Sequence, residues 1–263
     1  MSRLTDPLKP PGEKHFFIGW APTPGYLKLF LVAVGIVLVL GFTGLATLIA
    51  ATKPDPGPGQ FQFGWGRQTL EGVLVAEPYP TLTVTVGSER VAAGETILLA
   101  GPGKRGVQAK ATPLDGSYVQ AEGIMLNRGE LQMMQARGGQ NGLKAAETDE
   151  DIVAPVETNL GRWRLTGEIC DGKCLSGAMR PGTGLSHKAC ANLCLIGGAP
   201  PVLVTTEPVE GSEFMLVGAP DGGPVSDRLY DLTGRLATME GQLKRRGNML
   251  IFLTDLDQAS VAP

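Results

Sequence analysis

Phe, Tyr and Trp together make up only 6% of the 263 residues, too few to furnish the stacking platforms on which single-stranded nucleic acids are held. A basic field is lacking as well: 23 Lys and Arg stand against 26 Asp and Glu, for a formal net charge of −3. Both shortages set nucleic acid aside as a partner. Histidine occurs twice, and only His187 lies beyond the apolar run described below, so no Ser/His/Asp set assembles there except by arbitrary choice. Gly-x-Ser-x-Gly, a Walker loop, His-Glu-x-x-His and a dinucleotide fingerprint between a strand and a helix are absent. Cys-x-x-Cys-His is missing too, so covalent c-type haem is not signalled. Cysteine itself is absent everywhere except between Cys170 and Cys194.

What the chain does have begins with an uninterrupted apolar run. Leu29 to Ala51, "LFLVAVGIVLVLGFTGLATLIAA", carries no charge and is long enough to span the hydrocarbon core of a bilayer as one helix. A cleaved signal peptide is the competing reading; its apolar region is usually shorter and closer to the start, so an uncleaved anchor is expected. Arg3, Lys9, Lys14 and Lys28 precede the span, while Lys53 and Arg67 follow it. This bias leaves residues 1–28 in the cytoplasm of a bacterium and sends the bulk of the chain across the inner membrane into the periplasm. Phe16, Phe17, Trp20 and Tyr26 would form an interfacial belt in the lipid bilayer. Gly41, Gly44, Thr47 and Ala51 form a small-residue stripe that would admit a helix of another integral membrane subunit.

After a Pro/Gly tether over 52–66, short alternating runs read as strands. One set fills 67–135, a linker covers 136–161, a second set fills 162–255, and 256–263 is a tail. With 37 Gly and 20 Pro, the fold class is mainly β. The two sets share a pattern: Glu122, Gly123, Arg128 and Gly129 recur as Glu240, Gly241, Arg246 and Gly247 at one constant spacing of 118, as do Leu98 and Pro102 as Leu216 and Pro220. "LEG" at 70–72 and "LTG" at 165–167 are only 95 apart. The difference, 23 residues, places an insertion early in the second copy, and that insertion is the cysteine segment, 170–194. Five strands per copy resemble the small barrel of the OB type, which implies two OB-like barrels in tandem behind one transmembrane helix. Arg245 and Arg246, in "KRRG", read as a solvated basic turn.

The cysteine segment, "CDGKCLSGAMRPGTGLSHKACANLC", is open to three readings. Outside the cytoplasm an even number of cysteines suggests disulfides. Two Cys-x-x-x-Cys pairs that face one another would bridge Cys170 to Cys194 and Cys174 to Cys190. The spacing is similar to that of the twin Cys-x-x-x-Cys hairpins of mitochondrial intermembrane-space proteins, a resemblance that implies a staple. The second reading is a metal site: His187, Cys190 and Cys194 fall at i, i+3 and i+7 of a possible helix, with Cys174 or Cys170 as a fourth ligand for one Zn or Cu ion. The third is a redox-active dithiol, although neither a Cys-x-x-Cys pair nor a thioredoxin-like strand order is present.

Asp171, Lys173, Cys174, His187, Cys190, Ala191, Cys194 and Gly197 also resemble a motif of membrane-anchored bacterial periplasmic proteins of poorly assigned function. The resemblance covers about a tenth of the chain and implies an extracytoplasmic module with metal-binding capacity. The whole layout is similar to the haem chaperones of cytochrome c maturation, though His187 sits in an insertion and no tyrosine follows it closely. Two functions are therefore expected. The first is a non-catalytic accessory or assembly subunit of an electron-transfer membrane complex, touching other integral subunits through its helix and its periplasmic domains. The alternative is a metal- or haem-handling protein that uses the Cys/His segment.

Overall fold

The computed structural model describes residues 23–52, 56–149 and 151–262. The charge bias carried by Arg3, Lys9, Lys14 and Lys53, and the belt residues Phe16, Phe17 and Trp20, lie outside the described residues.

Helix α1, Gly25–Thr52, is 28 residues long and none of its side chains is buried by protein. At about 1.5 Å per residue it reaches roughly 42 Å, more than the ~30 Å of a hydrocarbon core. It extends beyond the 29–51 expected from hydropathy, back through Lys28 to Gly25 at one end and on to Thr52 at the other. Length and composition suit a membrane span, and a signal sequence would satisfy the same test.

From Pro56 onward the chain forms a second unit of two closed five-stranded barrels. The first contains β1 (Gln60–Phe61), β2 (Gln68–Val75), β3 (Thr81–Val86), β4 (Thr96–Ala100), a short helix α2 (Gln108–Ala111), β5 (Tyr118–Arg128), β6 (Leu131–Ala136) and β7 (Leu143–Ala145). The second contains β8 (Glu157–Asp171), helix α3 (Lys188–Ile196), β9 (Pro201–Val209), β10 (Ser212–Gly218), helix α4 (Leu229–Leu232), β11 (Leu236–Arg246), β12 (Met249–Thr254) and β13 (Ser260–Val261). In the first barrel β2, β3, β4, β6 and β5 pair in that order and β5 returns to β2; β8, β9, β10, β12 and β11 do the same in the second. One parallel pair closes each barrel, β4 with β6 and β10 with β12, and all other ladders are antiparallel.

The repeated residues occupy the same places in both barrels. Leu98 pairs with Met133 in the first, and Leu216 with Ile251 in the second. Gly72 and Gly167 each sit where an added Cβ would meet the carbonyl of the neighbouring strand, Thr83 O at 2.0 Å and Val204 O at 2.4 Å. Only glycine lets the strands close that tightly. Between the first two strands the first barrel has a short turn, 76–80, whereas the second has 172–200. The insertion therefore begins after Cys170, which is still in β8, paired with Val202.

Three other boundaries differ from the alternating pattern. Gln60–Phe61 of the tether adds to β5. The linker supplies β7, which also adds to β5, and the first residues of β8, from Glu157. The tail contributes β13, paired with β11. β1, β7 and β13 are short edge segments that satisfy a strand's free hydrogen bonds without needing an alternating run of their own, whereas the start of β8 lengthens its ladder with β11.

Each barrel is filled by its inward residues: Leu70, Leu74, Ile97, Leu99, Met125 and Met134 in the first, and Ile169, Leu203, Met215, Leu243 and Phe252 in the second. A third apolar cluster lies between them. Leu98, Leu126 and Met133 of the first barrel pack with Phe214, Leu216 and Ile251 of the second. These are outward positions of the strands, so each barrel buries one outer face against the other.

Arg246 locks this contact. It is buried, not a solvated turn residue: its guanidinium donates to Thr81 Oγ1 at 2.8 Å, to the carbonyl of Glu77 at 3.2 Å and to Glu157 Oε1 at 2.6 Å. Burial alone would raise the Glu157 carboxyl, but the hydrogen bonds and charges of Arg246 and Lys244 outweigh it and hold the group below its ordinary value. Its stabilising contribution is then complete above the unfolded carboxyl value of about 4.3 and is lost as pH falls through the lower folded value. Glu157→Gln is therefore expected to flatten the acid limb of stability, measured by urea denaturation between about pH 3 and pH 6. Equal acid slopes for the two proteins would contradict this assignment.

Candidate metal centre

The insertion leaves β8 at Asp171, makes one wide helical turn at Cys174–Ala178, loops back, and re-enters as α3. His187 occupies the N-cap position of α3, and Cys190 and Cys194 follow on the same face. That face turns toward Cys174, because Ala191, Cys194 and Leu195 are the buried positions of the helix. Two triads result, Cys174–His187–Cys190 and Asp171–Cys174–Cys194, and within each the ligand atoms lie within 4.8 Å of one another. Cys174 belongs to both. Of the four residues expected as a metal set, Cys174, His187 and Cys190 form the first triad, and Cys194 joins Cys174 in the second beside Asp171.

All four cysteines are free thiols. Cys174 Sγ lies 3.9 Å from Cys194 Sγ, which is neither of the two expected pairings, Cys170–Cys194 and Cys174–Cys190. Cys170 stands apart, donating to Glu168 Oε1 at 3.0 Å from the end of β8. Burial, reinforced by the Glu168 and Asp171 charges, pushes its thiol well above the ordinary range.

Asp171 is fully buried and organises the site. Its Oδ1 accepts from the Cys174 backbone N–H at 2.8 Å, and its Oδ2 lies 3.1 Å from His187 Nε2. A carboxylate on one ring nitrogen fixes the tautomer and the ring plane, the usual arrangement behind a metal-binding histidine. The Cys174–Cys194 hydrogen bond lowers the Cys194 thiol, aided by Lys104, and the same hydrogen bond, with burial and Asp171, raises Cys174.

The first barrel supplies the roof of the site. Lys104 Nζ donates to Cys190 Sγ at 2.8 Å and lies 3.6 Å from Cys194 Sγ; the contact with Cys190 raises its own pKa. Lys173, buried beside Cys174, donates to the carbonyls of Gly101 and Gly103 at 2.6 Å and 2.7 Å, tying the loop 101–106 to the insertion. Gly106 N–H also donates to Gly197 O at 2.8 Å. No spacing rule connects Lys104 to cysteines some 86 residues away. The loop does spell Gly-x-Gly-x-x-Gly after a strand, but it leads into a four-residue helix within a barrel, without the crossover a dinucleotide site requires.

This junction leaves no room. A Cβ at Gly197 would meet Lys104 O at 1.7 Å, and one at Gly106 would meet Gly198 O at 1.9 Å. Gly197→Ala is expected to push the loop off α3, costing about 1–3 kcal/mol and speeding alkylation of Cys190. A denaturation midpoint and an alkylation rate equal to those of the native protein would refute that reading.

Fold and site together define two closed five-stranded barrels in tandem with a Cys/His cluster at their junction, preceded in the sequence by one apolar helix. No protein-family model, curated protein or solved structure matches the chain. The resemblance to periplasmic proteins therefore stands on the motif residues alone.

Proposed function

We propose that this chain is a periplasmic, membrane-anchored protein of two OB-type barrels that binds one soft metal ion through Cys174, His187, Cys190 and Cys194. The observation that carries the reading is the 3.9 Å separation of the Cys174 and Cys194 sulfurs. Two thiolates on a tetrahedral zinc ion, each about 2.3 Å from it, stand about 3.8 Å apart. A disulfide would need about 2.05 Å. His187, with Nε2 engaged by Asp171, has Nδ1 left to offer an ion. Three thiolates and one imidazole suit zinc or copper. Because the four protein ligands complete a tetrahedral shell, the ion would be held or carried rather than used to activate water. Burial of His187, 5% exposed, favours a small ion over haem. The strand order, with a parallel pair closing each barrel, supports the OB assignment.

A role as non-catalytic accessory or assembly subunit of an electron-transfer membrane complex is compatible with this and rests on a separate feature. Leu185, Leu193 and Ile196 are 67%, 57% and 65% exposed. They lie on the insertion and α3 and would offer apolar surface to a neighbouring subunit. The test of the metal reading is elemental analysis of the full-length protein purified in detergent under reducing conditions. One equivalent of zinc or copper per chain, absent from the Cys174→Ser/Cys194→Ser double variant, is the expected result. Equal metal content in both would sink the proposal.

A further inference from the structure

The geometry points to a second activity of the same cluster: thiol–disulfide exchange, with Cys190 as the entry nucleophile and Cys174 as the resolving thiol. This rests on the cluster but not on the ion, since a bound metal would occupy the sulfurs; exchange belongs to the metal-free form.

Three observations carry it. Cys190 is the one partly exposed thiol, whereas Cys170, Cys174 and Cys194 are all buried. An incoming disulfide can therefore meet Cys190 alone. Second, Lys104 places an ammonium 2.8 Å from Cys190 Sγ, and Cys190 stands in the first turn of the nine-residue α3. A cation in contact with the one accessible sulfur draws an anionic disulfide toward it. Third, Cys174 Sγ lies within 4.8 Å of Cys190 Sγ, behind it and out of solvent. Cys194 is less suited to resolve, because two cysteines four residues apart on one helix bridge only with strain.

The oxidant is a disulfide on a partner molecule. Cys190 Sγ attacks one partner sulfur, forming a mixed disulfide and releasing the other sulfur. Cys174 Sγ then attacks Cys190 Sγ, forming the Cys174–Cys190 disulfide and freeing the partner's remaining sulfur. The two protons of the cysteine thiols end on the two partner thiols, and the two electrons of the new disulfide reduce the old one. In this scheme the Cys174–Cys190 bridge is a product of exchange, and its formation takes two ligands from the metal set.

Glutathione disulfide is the probe, added to metal-free full-length protein in detergent, with acid quenching and peptide mapping by mass spectrometry. In the native chain the first adduct is expected on Cys190, giving way to the Cys174–Cys190 disulfide with two glutathiones released per chain. Cys174→Ser should accumulate the Cys190 adduct, and Cys170→Ser should behave as native. Lys104→Met should slow adduct formation by the anionic probe roughly tenfold, and Lys104→Arg should retain the native rate, which separates loss of the cation from damage to the loop. A first adduct on any other cysteine, an unresolved adduct in the native chain, or an unchanged rate in Lys104→Met would overturn the proposal. Failure to bind metal would leave this experiment's outcome unaffected.

Discussion

Cys174→Ser will weaken metal binding by about a hundredfold, and Cys170→Ser will leave it unchanged. Structural zinc sites yield roughly 10–16 kcal/mol of apparent binding free energy, so one of four ligands carries about 3 kcal/mol, which is a factor of about 150. Cys174 is the ligand to choose because it belongs to both close triads. Cys170 is the proper control: it is equally buried and only four residues away, yet its sulfur faces Glu168. Asp171→Asn should fall between them, at roughly 10–100-fold, the usual cost of losing the carboxylate behind a metal-bound histidine. Competition with a chromophoric chelator reads all three. Equal losses for Cys170→Ser and Cys174→Ser would mean that the ion is held elsewhere.

The second large effect concerns the contact between the barrels. Leu216 is 1% exposed and sits in the apolar cluster shared by both barrels, so Leu216→Asp buries a carboxylate with nothing to pair it. Such a charge costs several kcal/mol, a large share of the ~5–15 kcal/mol by which a domain is held folded. In the native protein the shared cluster and Arg246 should make residues 56–262 melt as one unit, with calorimetric and van't Hoff enthalpies that agree. Leu216→Asp is expected to lower the melting temperature and to split the transition into two. Two transitions already present in the native protein would show that the barrels are energetically independent.

Much of this architecture was legible in the sequence for a physical reason. Strands that bury one face alternate, and residues such as Gly72, Gly123, Gly167 and Gly241 recur because closing a small barrel leaves no space for a Cβ. The helix of the Cys/His segment was legible too, since His187, Cys190 and Cys194 share a face only at helical spacing. What could not be read was everything that depends on one barrel touching the other. Arg246 looks like a turn cation until Thr81, Glu77 and Glu157 surround it. Lys104 gives no local hint of a thiol partner. Outward leucines such as Leu98 and Leu216 read as ordinary strand positions because periodicity reports burial, not which surface does the burying. Cys170 was drawn into the cluster by its spacing, whereas β8 continues through it and turns its sulfur toward Glu168.

The central claim is that three sulfurs and one imidazole converge on a single ion. Zinc-edge X-ray absorption of the purified, zinc-loaded protein tests it most directly. The account predicts a four-coordinate shell with three sulfur scatterers at about 2.3 Å and one nitrogen at about 2.0 Å, losing one sulfur in Cys174→Ser and none in Cys170→Ser. A shell of only oxygen and nitrogen, or one unchanged in Cys174→Ser, would contradict it.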